Sequence, residues 1–513
     1  MKRRDFIRNL GLLAGAGTVS MTLGDVPLRA FSNVLSKAAE YNGKILVLIQ
    51  LSGGNDGLNT VIPFEDSRYY NFRKNIGIRK NDALKLSSLT GLNPGMTSFK
   101  KLYDEGMLTV IQSVGYPNQN RSHFRSTDIW LTGSESNQYL NDGWVGRYLG
   151  KAFPYEEEFD SEHPKAIQLG ASQSILLECT CSNEALGLTF QDPNQFYQLI
   201  AGNTADTDPP PNTLAGNQLK YIKEVAARSI RYAEIIKDKA DSVENKVNYP
   251  NNSLARQLSI VAKLVAGGLE TPVYLTSMGG FDTHSDQVNR HRNLLANLSD
   301  SVKAFLDDLK ALDADDKVVV MTFSEFGRTV EENGSGGTDH GSAAPVFLAG
   351  TPVKGGIVGN NPDLSDLDNS GDNKMIYDFR QIYATLLRDH LEMDSSKMPD
   401  VLYKQFTTLP LVAAKSIASG GPLSFKLEQN YPNPFPNPLN PGTTFFYTLR
   451  LPQNISFKIF NVLGQEVLTL VDGYQDAGEY KVYLDASRLA SGVYFARMFS
   501  GSYFQTVKIQ VIK

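Results

Sequence analysis

Cysteine is scarce in this chain: 513 residues contain only two, Cys179 and Cys181. Two cysteines build no disulfide framework, and a C-x-C pair without further soft ligands falls short of a zinc or iron–sulfur site. They are read as core or turn residues. Histidine is also rare, at six, so any metal or acid–base centre draws on a short list. Positive charge is not in excess: 50 basic against 55 acidic residues leave a net charge of −5. Nothing global attracts nucleic acid, and none is expected as a partner. The chain also lacks both a Walker loop and a GxGxxG fingerprint; the glycine-rich stretch GGNDG, residues 53–57, is neither. What remains is a hydrophobic content of 41% and a charged content of 20%, which fit folded protein of two to four domains.

The first residues differ from the rest. MKRRDFIRNLGLLAGAGTVSMTLG opens with Lys2, Arg3, Arg4 and Arg8 and then turns apolar and small, the layout of an export signal over residues 1–31. It is too short and too glycine-rich for a transmembrane helix, and none is expected in the mature protein. The Arg3–Arg4 pair followed by Phe6 and Ile7 resembles a twin-arginine signal, which implies Tat export machinery as a partner and export after folding.

Composition shifts again near the other end. Residues 411–424 read as a linker, and the prolines at 432, 434, 436, 438 and 441 exclude a helix. Short runs then alternate around turns. In ISFKIF, Ile455, Phe457 and Ile459 share one face while Ser456 and Lys458 share the other, so residues 425–513 are expected to form a small antiparallel β-sandwich. The phrases LEQNYPNPFPNPLNPGTTFFYTLRLP, FKIFNVLGQEVLTLVDG, ASRLASGVYFARM and KIQVIK resemble the type A C-terminal sorting domain of the type IX secretion system. That resemblance implies the type IX machinery as a partner and a secreted or cell-surface destination, with the tail removed or replaced by a surface linkage.

Between these addresses, residues 40–410 alternate apolar runs and helical patterns. KILVLIQL, MLTVIQSVG, AIQLG, TPVYLTS, KVVVMTFS and APVFLAG read as strands, several of them apolar at successive positions, as where helices cover both faces of a sheet. In the segment from 291 to 312, Leu294, Leu298, Val302, Phe305 and Leu309 make one apolar helical stripe. The expectation is a layered α/β domain. Residues 216–247 read as a partly exposed helical insertion or lid.

In open α/β sheets, ligands meet the loops beyond the carboxyl ends of strands. Ser52, Asn55 and Asp56 fall there, as do Ser113, Ser122 and His123, then Asp282 and His284, then Ser324, Glu325 and Arg328, with Asp339–His340 in the next loop. Carboxylates and neutral imidazoles gathered from several loops can hold a divalent ion. His163 and His390 are left out of the site, as is His291, which begins a helix and serves packing or solvent contacts; Glu325 has no fixed role.

The phrases VLIQLSGGNDGLNTVIPFED, RSHFRSTDIWLTG, GGFDTHSDQ and MTFSEFGRTVEENGSGGTDHGSAAPVFLAG resemble the DUF1501 family of exported bacterial proteins. That group looks like a distant branch of the alkaline phosphatase/sulfatase superfamily. The resemblance implies an alkaline phosphatase/sulfatase-like sheet domain in which Asp56, Asp282, His284, Asp339 and His340 bind one or two cations, zinc, calcium, magnesium or manganese. Ser122 would be the nucleophile, with Ser113 and Thr127 as competitors and His123 beside it. Arg328 would grip an anionic substrate or, equally, form a carboxylate–arginine pair. No C-x-P-x-R signature occurs, which disfavours formylglycine chemistry. Two readings follow: a metal-dependent hydrolase of phosphate or sulfate esters, with an anionic small molecule or glycan as substrate, or a non-enzymatic binding or envelope-assembly protein on a degenerate hydrolase fold.

Overall fold

The computed structural model describes residues 42–153, 163–170, 174–179, 187–200, 232–413, 426–427, 429–436, 442–449, 453–475, 478–500 and 503–512, with a two-residue ladder at 22–23 and 26–27. The export signal expected at 1–31, apart from that ladder, lies outside the described residues, as do residues 414–425 and residues 216–231 of the 216–247 segment. The chain divides into two compact units, Met1–Ala413 and Ala414–Lys513.

The first unit is built on a mixed sheet. Its strands are β1 (Ile45–Leu51), β2 (Leu108–Gly115), β3 (Ala166–Leu169), β4 (Gly187–Phe190), β5 (Val273–Met278), β6 (Val318–Phe323), β7 (Ala344–Ala349), β8 (Gly356–Val358) and β9 (Tyr377–Asp378). They run in the order β8-β2-β7-β6-β1-β5-β3-β4, with β9 pairing β2 beyond the end of β8. All pairings are parallel except those of β7, which runs antiparallel to both β6 and β2.

The run of apolar residues in β1 has a direct cause. Ile45, Val47, Ile49 and Leu51 enter one core with Leu258 and Val261 of α4 (Ser253–Ala266) and Leu298, Val302 and Phe305 of α5 (Gln287–Ala311). Leu46 and Leu48 enter the opposite core with Trp130 of α2 (His123–Thr132), Trp144 of α3 (Trp144–Ala152) and Phe379 and Tyr383 of α6 (Phe379–Thr385). Phe99 of α1 (Thr97–Asp104) joins the first. Successive side chains of a strand face opposite ways, so both faces must be apolar when helices cover both. The aromatic group on the second face is tightly packed: Trp130 stacks on Phe379 at 4.4 Å between centroids and Trp144 on Tyr383 at 4.2 Å.

Residues 232–241 form a partly exposed helix, as expected, with Ile236 and Ala240 buried in the first core. Cys179 is buried and disulfide-bonded, where a plain core or turn residue was expected.

The second unit has two antiparallel sheets. One joins β10 (Lys426–Leu427), β11 (Gly442–Leu449) and β14 (Gly478–Asp485); the other runs β13 (Glu466–Gln475), β12 (Gln453–Asn461), β15 (Gly492–Ser500) and β16 (Tyr503–Val511). Ile455, Phe457 and Ile459 are buried together with Phe445, Tyr447, Met498 and Ile509, which gives the unit its own core. The alternation read from ISFKIF thus reports a half-buried strand.

Candidate metal centre

Four side chains from three loops meet at one edge of the mixed sheet. Strands β2 and β5 end there and release α2, which begins at His123, and the turn carrying Asp282 and His284. The third loop leaves β6 and returns into β7 through His340. Because β7 is antiparallel, its first residues lie at the edge where its neighbours end. The Asp339–His340 stretch therefore reaches the site from the front of its strand.

Two glycines make the approach fit. At Gly53, with φ of +121°, a Cβ would lie 2.3 Å from the Asp282 amide nitrogen; at Gly337 it would lie 2.3 Å from the His284 carbonyl carbon. Neither position has room for a side chain. The flexible glycines before Asp339–His340 therefore bring one ligand loop against another.

Donor atoms of His123, Asp282 and His340 all lie within 4.8 Å of one another. Asp282 Oδ1 is 3.0 Å from His284 Nε2, 3.4 Å from His340 Nε2 and 3.6 Å from His123 Nε2, and the His284 and His340 Nε2 atoms are 3.0 Å apart. In a tetrahedral site with bonds of about 2.0–2.1 Å, ligand atoms stand roughly 3.3 Å from each other. These four separations bracket that edge, and the set of His123, Asp282 and His340 suits a divalent ion, with His284 beside it.

Each imidazole is held from behind. His123 Nδ1 meets Glu325 Oε1 at 2.8 Å, His284 Nδ1 meets Asp339 Oδ1 at 2.7 Å, and His340 Nδ1 meets the Arg121 carbonyl at 2.9 Å. A carbonyl only accepts, so His340 Nδ1 carries the hydrogen and its Nε2 presents a lone pair inward. Burial, together with the charges of Arg328 and His123, lowers the His340 pKa from its ordinary value despite its bond to Arg121. Lone pairs of the imidazoles face the Asp282 carboxylate oxygen, which also accepts from the Arg328 guanidinium. Phe326 backs the group, its ring 4.9 Å from His123 and 4.7 Å from His340. The front is open, with the Asp282 side chain 47% exposed.

The remaining expected site residues fall elsewhere. Asp56 is fully buried, pairs with Arg73 Nη1 at 2.6 Å, and accepts from Gln287 and from the Leu58 amide. Burial pushes its carboxyl up, but the Arg73 charge and hydrogen bond win and hold it below the usual range. Asp56 is therefore part of an internal ion pair and caps a short helix, and is absent from the cluster. Asp339 stands behind His284 as its orienting carboxylate; bonds from His284 and Asn333 hold its pKa down.

Arg328 forms the carboxylate pair that was its alternative reading. Its side chain is buried; it donates to the carbonyls of Gly53, Gly54, Phe281 and Thr338, and to Asp282 Oδ1 at 2.5 Å. Such a guanidinium is a clamp on the ligand loops, with its donors already committed. Burial raises the Asp282 pKa, but Arg328, then His284 and His123, hold that carboxyl below the ordinary range. Glu325 is buried, accepts from the Gly53 amide at 2.7 Å, and meets His123 Nδ1 through the same oxygen. His291, expected to serve packing or solvent contacts, is buried in α5 with Nε2 2.9 Å from Asn55 Oδ1.

Ser122 is exposed at the start of α2, next to His123, and makes no side-chain capping bond. Its competitors are less accessible. Ser113 is buried at φ of 53°, and its Oγ lacks a hydrogen-bond partner among the described residues; Thr127 is half-buried within α2.

No curated protein matches the chain significantly. Among solved structures, the sulfatase PsFucS1 of Pseudoalteromonas sp. is 13% identical over 89% of this chain and 87% of its own, with a TM-score of 0.32. A protein in the alkaline phosphatase superfamily from Vibrio parahaemolyticus is 8% identical over 91% and 82%, with a TM-score of 0.31. PorZ, a surface component of the type IX secretion system of Porphyromonas gingivalis, is 23% identical over 21% of this chain, which spans only 14% of PorZ, with a TM-score of 0.15. Among the described residues no helix is long and apolar enough to cross a membrane. Residues 239–398 match the family described as "Protein of unknown function (DUF1501)", and residues 430–513 match the secretion system C-terminal sorting domain, which makes this a secreted or cell-surface protein.

Proposed function

We propose that the chain is an exported metal-dependent hydrolase acting on phosphate or sulfate esters, with one cation held by His123, Asp282, His284 and His340. The observation that carries this reading is the convergence of three imidazole nitrogens on one carboxylate oxygen, each ring braced through its other nitrogen. An imidazole-rich set favours zinc or a similar transition metal over calcium or magnesium. With Asp56 committed to Arg73, the donors favour one ion rather than two.

A cation held there supplies Lewis acidity toward a substrate oxygen. The chain's own groups do the rest. Glu325, Asp339 and the Arg121 carbonyl fix the ring orientations, and Arg328 keeps Asp282 ionised and turned inward. The first turn of α2, without a side-chain cap at Ser122, offers backbone N–H groups to an anionic substrate beside His123. Ser122 is the nucleophile this reading favours.

One observation favours a second reading, a binding or structural centre without turnover. Arg328 is consumed by loop carbonyls and cannot grip substrate. We also propose a twin-arginine export signal at 1–31, a DUF1501-like α/β domain of alkaline phosphatase/sulfatase type at 40–410, a linker at 411–424 and a sorting sandwich from 425. Motif and composition support each.

The test is metal analysis after extensive dialysis of wild type, Asp282→Ala and His340→Ala, followed by assays on phosphate monoesters, phosphate diesters and sulfate esters with zinc, calcium, magnesium or manganese. One zinc-class ion per chain, lost in both variants, is expected, with turnover that disappears alongside it. Equal metal content in all three proteins overturns the site. Metal retention without turnover on any ester selects the binding reading.

A further inference from the structure

Beneath the four donors lies a buried side chain that touches none of them and yet reaches both loops that carry three of them. Gln287, the first residue of α5, is fully buried. Its Oε1 accepts from Thr283 Oγ1 at 3.1 Å and from Thr338 Oγ1 at 2.7 Å, while its Nε2 donates to Asp56 Oδ2. Thr283 stands between Asp282 and His284; Thr338 immediately precedes Asp339–His340. The backbone repeats the link: the Gln287 amide donates to the Gly336 carbonyl at 3.0 Å and the Thr338 amide to the Thr283 carbonyl at 3.2 Å.

We propose that Gln287 is a positioning residue, a splint whose one amide sets the separation of the Asp282–His284 and Asp339–His340 loops and with it the affinity of the centre for its cation. The inference rests on the metal-centre reading above.

The chemistry of the position explains why an amide is there. Two hydroxyls need one acceptor with two lone pairs, and the Asp56 carboxylate needs a donor; glutamine supplies both from one planar group. Nothing nearby replaces it, because Asp56 is otherwise filled by Arg73 and the Leu58 amide. Methionine would keep the shape and lose all three bonds. Glutamate would keep both threonine bonds and lose the one to Asp56. A splint and a merely structural residue therefore rank these substitutions differently. As a splint, Gln287→Glu should hold metal better than Gln287→Met, since the loop-to-loop tie survives. As a stability element only, Gln287→Glu should be the worse of the two, because it buries a carboxylate against Asp56.

The experiment measures zinc affinity by chelator competition in full-length wild type, Gln287→Met, Gln287→Glu and Thr338→Val, alongside the melting temperature of each metal-free protein. Thr338→Val removes one hydrogen bond at nearly constant shape and covers the case in which Gln287→Met does not fold. Expected is a loss of about 10–100-fold in affinity for Gln287→Met, a smaller loss for Thr338→Val, and partial rescue in Gln287→Glu, the range typical of groups that orient metal ligands. If wild type binds no zinc, the metal-centre reading itself has failed. If wild type binds and Gln287→Met and Thr338→Val bind equally well, the centre stands and the splint is refuted. Affinity that tracks metal-free melting temperature across the set, with Gln287→Glu lowest, also refutes it.

Discussion

Replacing Arg73 by Met tests where Asp56 belongs. In the folded chain both side chains are fully buried and their nearest atoms are 2.6 Å apart. The guanidinium also donates to Asn59, Thr329 and Val330, so its removal strips several bonds. The larger effect is electrostatic. Without Arg73, burial acts on the Asp56 carboxylate with its principal compensation gone. Stranding one partner of a buried pair typically costs about 3–5 kcal/mol. For a unit of roughly 400 residues, at about 2.1 cal/mol/K per residue, that is a fall of roughly 4–6 °C in melting temperature. The double variant Arg73→Met/Asp56→Asn should recover part of the loss, since no charge is stranded. In the single variant the folded Asp56 pKa moves above its unfolded value, so folding gains stability as pH falls, the reverse of wild-type Asp56. Calorimetry between pH 5 and 8 on the two singles and the double, with metal content measured on each, makes the assay. Metal should be retained throughout. If Asp56→Asn instead empties the centre while shifting stability by less than about 1 kcal/mol, Asp56 is a ligand and the reasoning fails.

Three further outcomes are expected. Glu325→Gln keeps the shape behind His123 but weakens the acceptor, so zinc affinity should fall about 10-fold with an unchanged circular dichroism spectrum; unchanged affinity would remove Glu325 from the centre. Burial holds the His390 imidazole down to about 4 from 6.5, while its Nε2 donates to the Ile45 carbonyl. The unfolded chain therefore takes up its proton first, and stability present above pH 6.5 is lost as pH falls toward 4, by up to about 3 kcal/mol. Melting curves from pH 7 to 4.5 should fall less steeply in His390→Gln. Deleting residues 430–513 should retain the protein inside the producing cell, read by immunoblot of culture medium, surface and periplasmic fractions; undiminished export would exclude a sorting role for the tail.

Residue order alone determined much of this protein. Runs apolar at every position, as in ILVLIQL, report a strand covered on both faces, and the alternation in ISFKIF reports one covered on a single face. Such patterns are local, because side-chain direction follows from backbone period. The donor types were also legible, since Asp282, His284 and His340 lie in loops flanking predicted strands. Which donors converge was not. That depended on β7 running against its neighbours and on the 17-residue separation across which Arg73 reaches Asp56. It also depended on the hydrogen bonds that the imidazoles donate to Glu325, Asp339 and the Arg121 carbonyl, which select the nitrogen that faces inward. Ligand identity is a statement about distances of a few ångströms between residues up to a few hundred positions apart. Strand order and direction set those distances, and no local pattern in the chain encodes them.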